Sequence, residues 1–293
     1  MDMSHINPAT AADVLALQQI ALQEGKTLSE YGSQRSESKI SPETQFEADA
    51  LASKVRMQAE LVEPQITSDM KGLESDSKKL TGLDYRLKGE TSLSRKILSD
   101  AQFENIPLQE AASNIGDSVR YTLLCPEATY STDVVESLEE LVSKGYKIRK
   151  FKNTFTSDVY RGINVSMESP DGTVFELQFH TDESFNTKEN LNHLFYEIAR
   201  NDFTSPEAKT LANRIMKQNT TSVKIPEGVE KINIMQSFKD QGYNLMEVMP
   251  LQIESELDKA RAKYPNLTSG QVETLRQVLL NDPSMDMSNL VVS

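Results

Sequence analysis

The spacing of hydrophobic and polar positions changes character twice along the chain, and the changes mark three regions. From Pro8 to about residue 24, Val14, Leu15, Leu17, Ile20 and Leu22 make an approximate apolar stripe, with Asn7 placed to cap a helix. The periodicity then lapses in GKTLSEYGSQRSESKISPE, which reads as a flexible linker rich in Ser and charge. A helical period returns from Pro42 to about Val62. In the middle, DSVRYTLLCP (117 to 126) has the pattern of a strand ended by proline, and TDVVESLEELVSKG (132 to 145) that of an amphipathic helix stopped by Gly145. YKIRKFKNTF is a second strand, and VYRGINVSMESPDGTVFELQFHT (159 to 181) holds two more around a Pro-Asp-Gly turn. A helix over 184 to 201 follows. Beyond Pro206 the stretches PEAKTLANRIMKQN, LQIESELDKARAKY and SGQVETLRQVLLN are helical, with a less regular segment among them.

Strands and helices in this order predict an α+β fold: a mixed β-sheet core with packed helices, flanked by N- and C-terminal helical regions. The expected division is a helical arm with a flexible linker at 1–75, a sheet-bearing domain at 76–205 and a helical region at 206–293.

Composition narrows the function. A net charge of −13 argues against broad duplex DNA binding, because phosphate backbones require clustered cations. The charge is uneven, however: residues 81 to 165 hold 11 Lys and Arg against 12 Asp and Glu, and the rest of the chain 20 against 32. Cations are therefore enriched in the middle region. The lone Cys125, after an apolar run and before Pro126, is expected to be a buried structural thiol in a reducing compartment. Without an 18-residue apolar run, and with an acidic residue where a secretory signal carries positive charge, no membrane partner is expected.

Candidate chemistry gathers in five places. DYRLKGETSLSRKI sets Arg86 and Lys88 on a loop before a helix that carries Ser92 and Lys96, an arrangement suited to a polyphosphate. Lys152 adds a cation on the second strand. Asp117 opens the first strand, ahead of Arg120. On the last strand Phe175, Leu177 and Phe179 form the core side, so Glu176, Gln178 and His180 share the other face, near Arg161 and Asn164 of the hairpin's first half. A carboxylate there suits Mg²⁺ ligation or proton acceptance from a hydroxyl. His193 and Glu197, four apart, share a helical face, and with no second histidine but the distant His5 they do not suggest zinc. Gly-rich nucleotide loops and a hydrolase nucleophile elbow are absent.

Together these residues resemble the synthetase domain of the RelA/SpoT family, whose members transfer pyrophosphate from ATP to a ribose 3′-hydroxyl. The family's R-x-K-x-x-x-S-x-x-x-K pattern is met by Arg86, Lys88, Ser92 and Lys96. Its strand arginine is matched by Arg120, its Y-x-G turn by Tyr160 and Gly162, its E-x-Q-x-x-T strand by Glu176, Gln178 and Thr181, and its H-x-x-x-E by His193 and Glu197. The resemblance spans roughly residues 80 to 200. It implies that Arg86, Lys88, Lys96 and Ser92 bind ATP phosphates, that Tyr160 stacks on the acceptor base, and that Glu176 assists catalysis, with Mg²⁺ held by Asp117 and Glu176. The departures lie mostly on the acceptor side. The family's metal aspartate falls at Ile115, with Asp117 two residues later; Asn164 replaces a histidine, and His180 an arginine.

This pattern predicts an ATP-using transferase with a nonstandard acceptor, a nucleotide, an RNA 3′ end or a protein, acting as a toxin or effector, with a protein activator among the partners to be sought. It would work in the cytoplasm, or in a target-cell cytosol after specialised secretion. Two alternatives compete: an inactive relative that binds a protein through its helical flanks, and an ADP-ribosyl transferase using NAD.

Overall fold

The structure, a computed structural model, describes residues 8–33, 40–201 and 203–288. Helices α1 (Pro8–Gln23), α2 (Leu28–Gly32) and α3 (Pro42–Gly72) precede strand β1 (Lys79–Thr81). Next come α4 (Glu90–Glu104), α5 (Leu108–Ser113), β2 (Arg120–Leu124), α6 (Tyr130–Ser143), β3 (Lys147–Asn153), β4 (Ile163–Glu168) and β5 (Val174–His180). α7 (Asp182–Asn186) continues through a π-helical turn, Thr187–Asn192, into α8 (His193–Arg200). α9 (Pro206–Thr221), α10 (Ile234–Asp240), α11 (Leu245–Val248), α12 (Pro250–Lys263) and α13 (Ser269–Asn281) complete the described chain. The expected α+β class is what the chain adopts.

Two compact units divide these elements. One comprises Met1–Phe46, Thr154–Gly162 and His180–Ile225, and the other Glu47–Asn153, Ile163–Phe179 and Pro226–Ser293. The second holds the sheet, in the order β1-β2-β5-β4-β3. β1 runs antiparallel to β2, and β3, β4 and β5 form an antiparallel meander. Alternation works as expected on β5: Phe175, Leu177 and Phe179 are fully buried, and Phe175 packs edge-on against Tyr121 and Tyr146. At the β3 edge the Gln252 side chain of α12 accepts a hydrogen bond from Phe151 N at 2.8 Å, which caps part of an exposed strand. Cys125 is buried, and burial pushes its thiol up to about 12, so it remains a neutral packing group.

The first unit is helical. Leu17 of α1, Phe195 and Ile198 of α8, and Ala212 and Ile215 of α9 share its core. Two expectations fail here and in α3. The segment read as a flexible linker contains α2, whose capping box between Thr27 and Glu30 satisfies donors at the helix start, and whose Tyr31 is fully buried. Tyr31 anchors the segment in the apolar core and its hydroxyl lies 3.3 Å from Ser205 N, so polar composition did not mean mobility. The helix expected to end near Val62 runs on to Gly72 through Pro64, because burial of Ile66 and Met70 outweighs one lost backbone hydrogen bond. Asn7, His5 and residues 34–39 of the expected linker lie outside the described residues.

Candidate active site

The loop before α4 is held by backbone pairing. Lys88 N donates to Ser118 O at 2.9 Å, Arg120 N donates to Arg86 O at 2.8 Å, and Leu87 bridges Val119. On the other side of the same strand segment, Glu176 N donates to Val119 O at 3.0 Å. The loop, the start of β2 and the middle of β5 are thus neighbouring rows of one backbone network. α3 braces it, with Arg56 Nη1 donating to Leu87 O at 3.2 Å and Lys88 O at 3.1 Å. α4 begins at Glu90, so Arg86 and Lys88 do sit on the preceding loop, with Ser92 in the first turn and Lys96 further along the helix.

Side chains converge on this frame. Lys88 Nζ lies 2.5 Å from Asp117 Oδ2, while Asp117 Oδ1 is buried without a hydrogen-bond partner. Lys96 pairs with Asp100 at 3.1 Å. Burial works against the Lys96 charge, but Asp117, Asp100 and Glu176 outweigh it and hold its pKa above the usual lysine value. Lys96 therefore lies within the fields of both Asp117 and Glu176. Glu176 is fixed in turn: Gln178 Nε2 donates to its Oε2 at 2.7 Å, and Asn164 Nδ2 approaches Oε1 at 3.5 Å. Cross-strand register sets Lys152 beside Asn164 and Asn164 beside Gln178, with Ser166 opposite Glu176, so these polar groups share one sheet face.

Mg²⁺ fits this donor set. It takes hard oxygen ligands and commonly uses one or two carboxylates with phosphate oxygens and water, and the unpartnered Asp117 oxygen is an acceptor of that kind. No group of three or more His, Cys, Asp or Glu among the described residues could hold a metal alone. An ion shared by Asp117 and Glu176 would accordingly depend on the phosphates it accompanies.

Other expected residues are engaged elsewhere. The Arg86 guanidinium is gripped by Glu63 of α3 through Nε and Nη2 and donates to Leu83 O, so its charge is spent on a buried carboxylate. Arg86 in its turn helps hold the Glu63 carboxyl below the usual range against burial. Arg120 is exposed and reaches Tyr85 O at 3.4 Å. Glu63, Thr67 and the Tyr121 hydroxyl form a cluster behind the loop that sequence reading missed, since no local spacing links α3 to Arg86.

In the first unit, the Tyr160 hydroxyl lies 2.9 Å from His180 Nε2. His180 is fully buried rather than displayed on a polar sheet face, because the chain leaves the sheet there and turns into α7. Arg161 donates to the Val223 carbonyl, and its Nε is buried without a partner. His193 is exposed, and Glu197 pairs with Arg200 at 2.7 Å.

No protein-family profile matches the sequence, and no curated protein matches it. Solved structures do. The small alarmone synthetase 1 from Bacillus subtilis, bound to its product pppGpp, is similar with TM-score 0.39 and 17% identity over 57% of this chain and 88% of that one. The type VI effector Tas1, in complex with its immunity protein, gives TM-score 0.36 and 16% identity over 62% of this chain and 99% of the other. A GTP pyrophosphokinase family protein from Streptococcus pneumoniae gives TM-score 0.35 and 18% identity, covering 69% and 95%.

Proposed function

We propose that the chain is an ATP-dependent pyrophosphoryl transferase. The observation that carries this reading is the ion pair of Lys88 with Asp117 on a backbone network whose next row holds Glu176, beside the helix that carries Lys96. Phosphoryl-type transfer asks little covalent chemistry of a protein and much positioning and charge neutralisation, which this set supplies. Lys88 and Lys96 bind the triphosphate. Bound Mg²⁺, held by Asp117 and Glu176, would supply further neutralisation of the phosphate oxygens. The acceptor hydroxyl oxygen forms a bond to the β-phosphorus of ATP while the bond from that phosphorus to the α–β bridging oxygen breaks. The electron pair leaves with AMP, and the hydroxyl proton passes to the Glu176 carboxylate, whose orientation Gln178 fixes.

Calorimetry with ATP and Mg²⁺ separates the roles. Lys88→Ala and Lys96→Ala should each weaken ATP binding about tenfold, the scale of a charge-assisted contact. Glu176→Gln should bind ATP nearly as well and lose about a hundredfold or more in turnover. Full turnover in Glu176→Gln contradicts the assignment. The acceptor class, a nucleotide, an RNA 3′ end or a protein, belongs to the same proposal, as does use as a toxin delivered to a target-cell cytosol. No helix among the described residues is long and apolar enough to cross a membrane. Expression in a bacterial cytosol should arrest growth, and Glu176→Gln should relieve the arrest.

A further inference from the structure

The loop that carries Lys88 has four carbonyls in a row, from Arg86 to Gly89, and each has a donor. Arg86 O accepts from Arg120 N at 2.8 Å, and Gly89 O accepts from Ser92 N at 2.9 Å and Leu93 N at 3.0 Å. The two between them are served differently. Lys88 N donates to Ser118 O while Leu87 bridges Val119 antiparallel, which makes Leu87 the residue whose own N–H and C=O turn away from that strand. Its carbonyl meets a side chain instead: Arg56 Nη1 of α3 donates to Leu87 O at 3.2 Å and to Lys88 O at 3.1 Å.

Arg56 is held in turn, since its Nε donates to Glu60 Oε1 at 2.8 Å. Neighbouring turns of α3 grip neighbouring residues. Asp49 Oδ1 accepts from Ser94 Oγ at 2.5 Å, Ser53 Oγ donates to Glu90 Oε2 at 2.9 Å, and Glu63 holds Arg86. Spaced three or four apart, Asp49, Ser53, Arg56, Glu60 and Glu63 share one face of the helix, so α3 is fastened turn by turn along the loop and the start of α4. Of these grips, the Arg56 guanidinium is the one that bears on the backbone at Lys88.

We propose that Arg56 is a positioning residue for ATP binding: by holding the Leu87 and Lys88 carbonyls it fixes where the Lys88 ammonium stands, beside Asp117. This rests on the transferase reading above and deepens it. A cation displaced by about an ångström loses much of its worth to a bound phosphate, so a loop free to shift would bind the triphosphate less tightly with the same charge present.

The test is calorimetry of a non-hydrolysable ATP analogue with Mg²⁺ on the full chain. Arg56→Met should raise Kd about tenfold, close to the effect of Lys88→Ala, and the double variant no further than Lys88→Ala alone, because Arg56 acts through that lysine. Combined with Lys96→Ala, whose side chain belongs to α4, the losses should multiply to about a hundredfold. Arg56→Lys, which returns a charged donor, should recover most of the affinity. A general loss of stability would not single out Lys88 in this way. An unchanged Kd in Arg56→Met, losses that multiply with Lys88→Ala, coupling to Lys96→Ala as strong as to Lys88→Ala, or a Kd in Arg56→Lys as poor as in Arg56→Met would each overturn the inference and leave the transferase reading standing. Should Arg56→Met fail to fold, Arg56→Gln, neutral and too short to span both carbonyls, carries the same cycles. Failure of the analogue to bind wild type overturns the transferase reading, and the inference with it.

Discussion

Asp117 gives its two oxygens different work: Oδ2 meets Lys88 and Oδ1 is buried without a partner. A buried oxygen of that kind is costly unless a cation or donor arrives, which the proposed Mg²⁺ would supply. Glu176 contrasts with it, since both of its oxygens have amide neighbours. His180 makes a prediction about stability. Its folded pKa, about 3, lies below the ordinary value of 6.5, so the unfolded chain binds the proton first as pH falls. The stability it contributes is complete above about pH 6.5 and is lost at about 1.4 kcal/mol per pH unit on going down toward 3. Urea denaturation at pH 7 and pH 5 should therefore show wild type losing about 2 kcal/mol more than His180→Gln, and equal losses would contradict the burial argument. At this scale alternation and spacing sufficed to place Lys88 on the loop before α4, Lys96 on that helix, and Glu176 and Gln178 on one face of β5. Capture of Arg86 by Glu63 was not legible, because the two are brought together only by the packing of α3.

Elements were read best where the period was strong. β2, β3, β4 and β5 lie within the expected stretches, α6 starts two residues before its own, and α9, α12 and α13 follow their apolar stripes closely. Short elements escaped: β1 has three residues and α5 six, too few to show a period. α2 escaped for another reason, since its five residues are fixed by a capping box and by Tyr31 rather than by a stripe. Its seat on α8 is close enough to test. A Cβ on Gly32 would stand 2.9 Å from Ile198 Cγ1, and Ile198 is fully buried. Gly32→Ala should thus cost about 1–3 kcal/mol by overpacking, measured by urea denaturation, and a neutral substitution would mean that α2 is not packed as described.

At the scale of the whole molecule, each compact unit is assembled from separated stretches of chain, which a reading that moves along the sequence cannot show. The helical N-terminal region illustrates this, with α1 and α2 in one unit and nearly all of α3 in the other. The net charge of −13 would repel a triphosphate at long range, so the proposed activity depends on the local cations, Lys88 and Lys96, outweighing that field at short range. The most direct test is the fate of label from ATP incubated with the protein and a cell extract. With phosphorus label at the γ position and, separately, at the α position, γ label should move into an acceptor while α label appears in AMP, and both changes should vanish in Lys88→Ala and Glu176→Gln. ATP left intact, or α label carried into the acceptor, would contradict pyrophosphoryl transfer by this site.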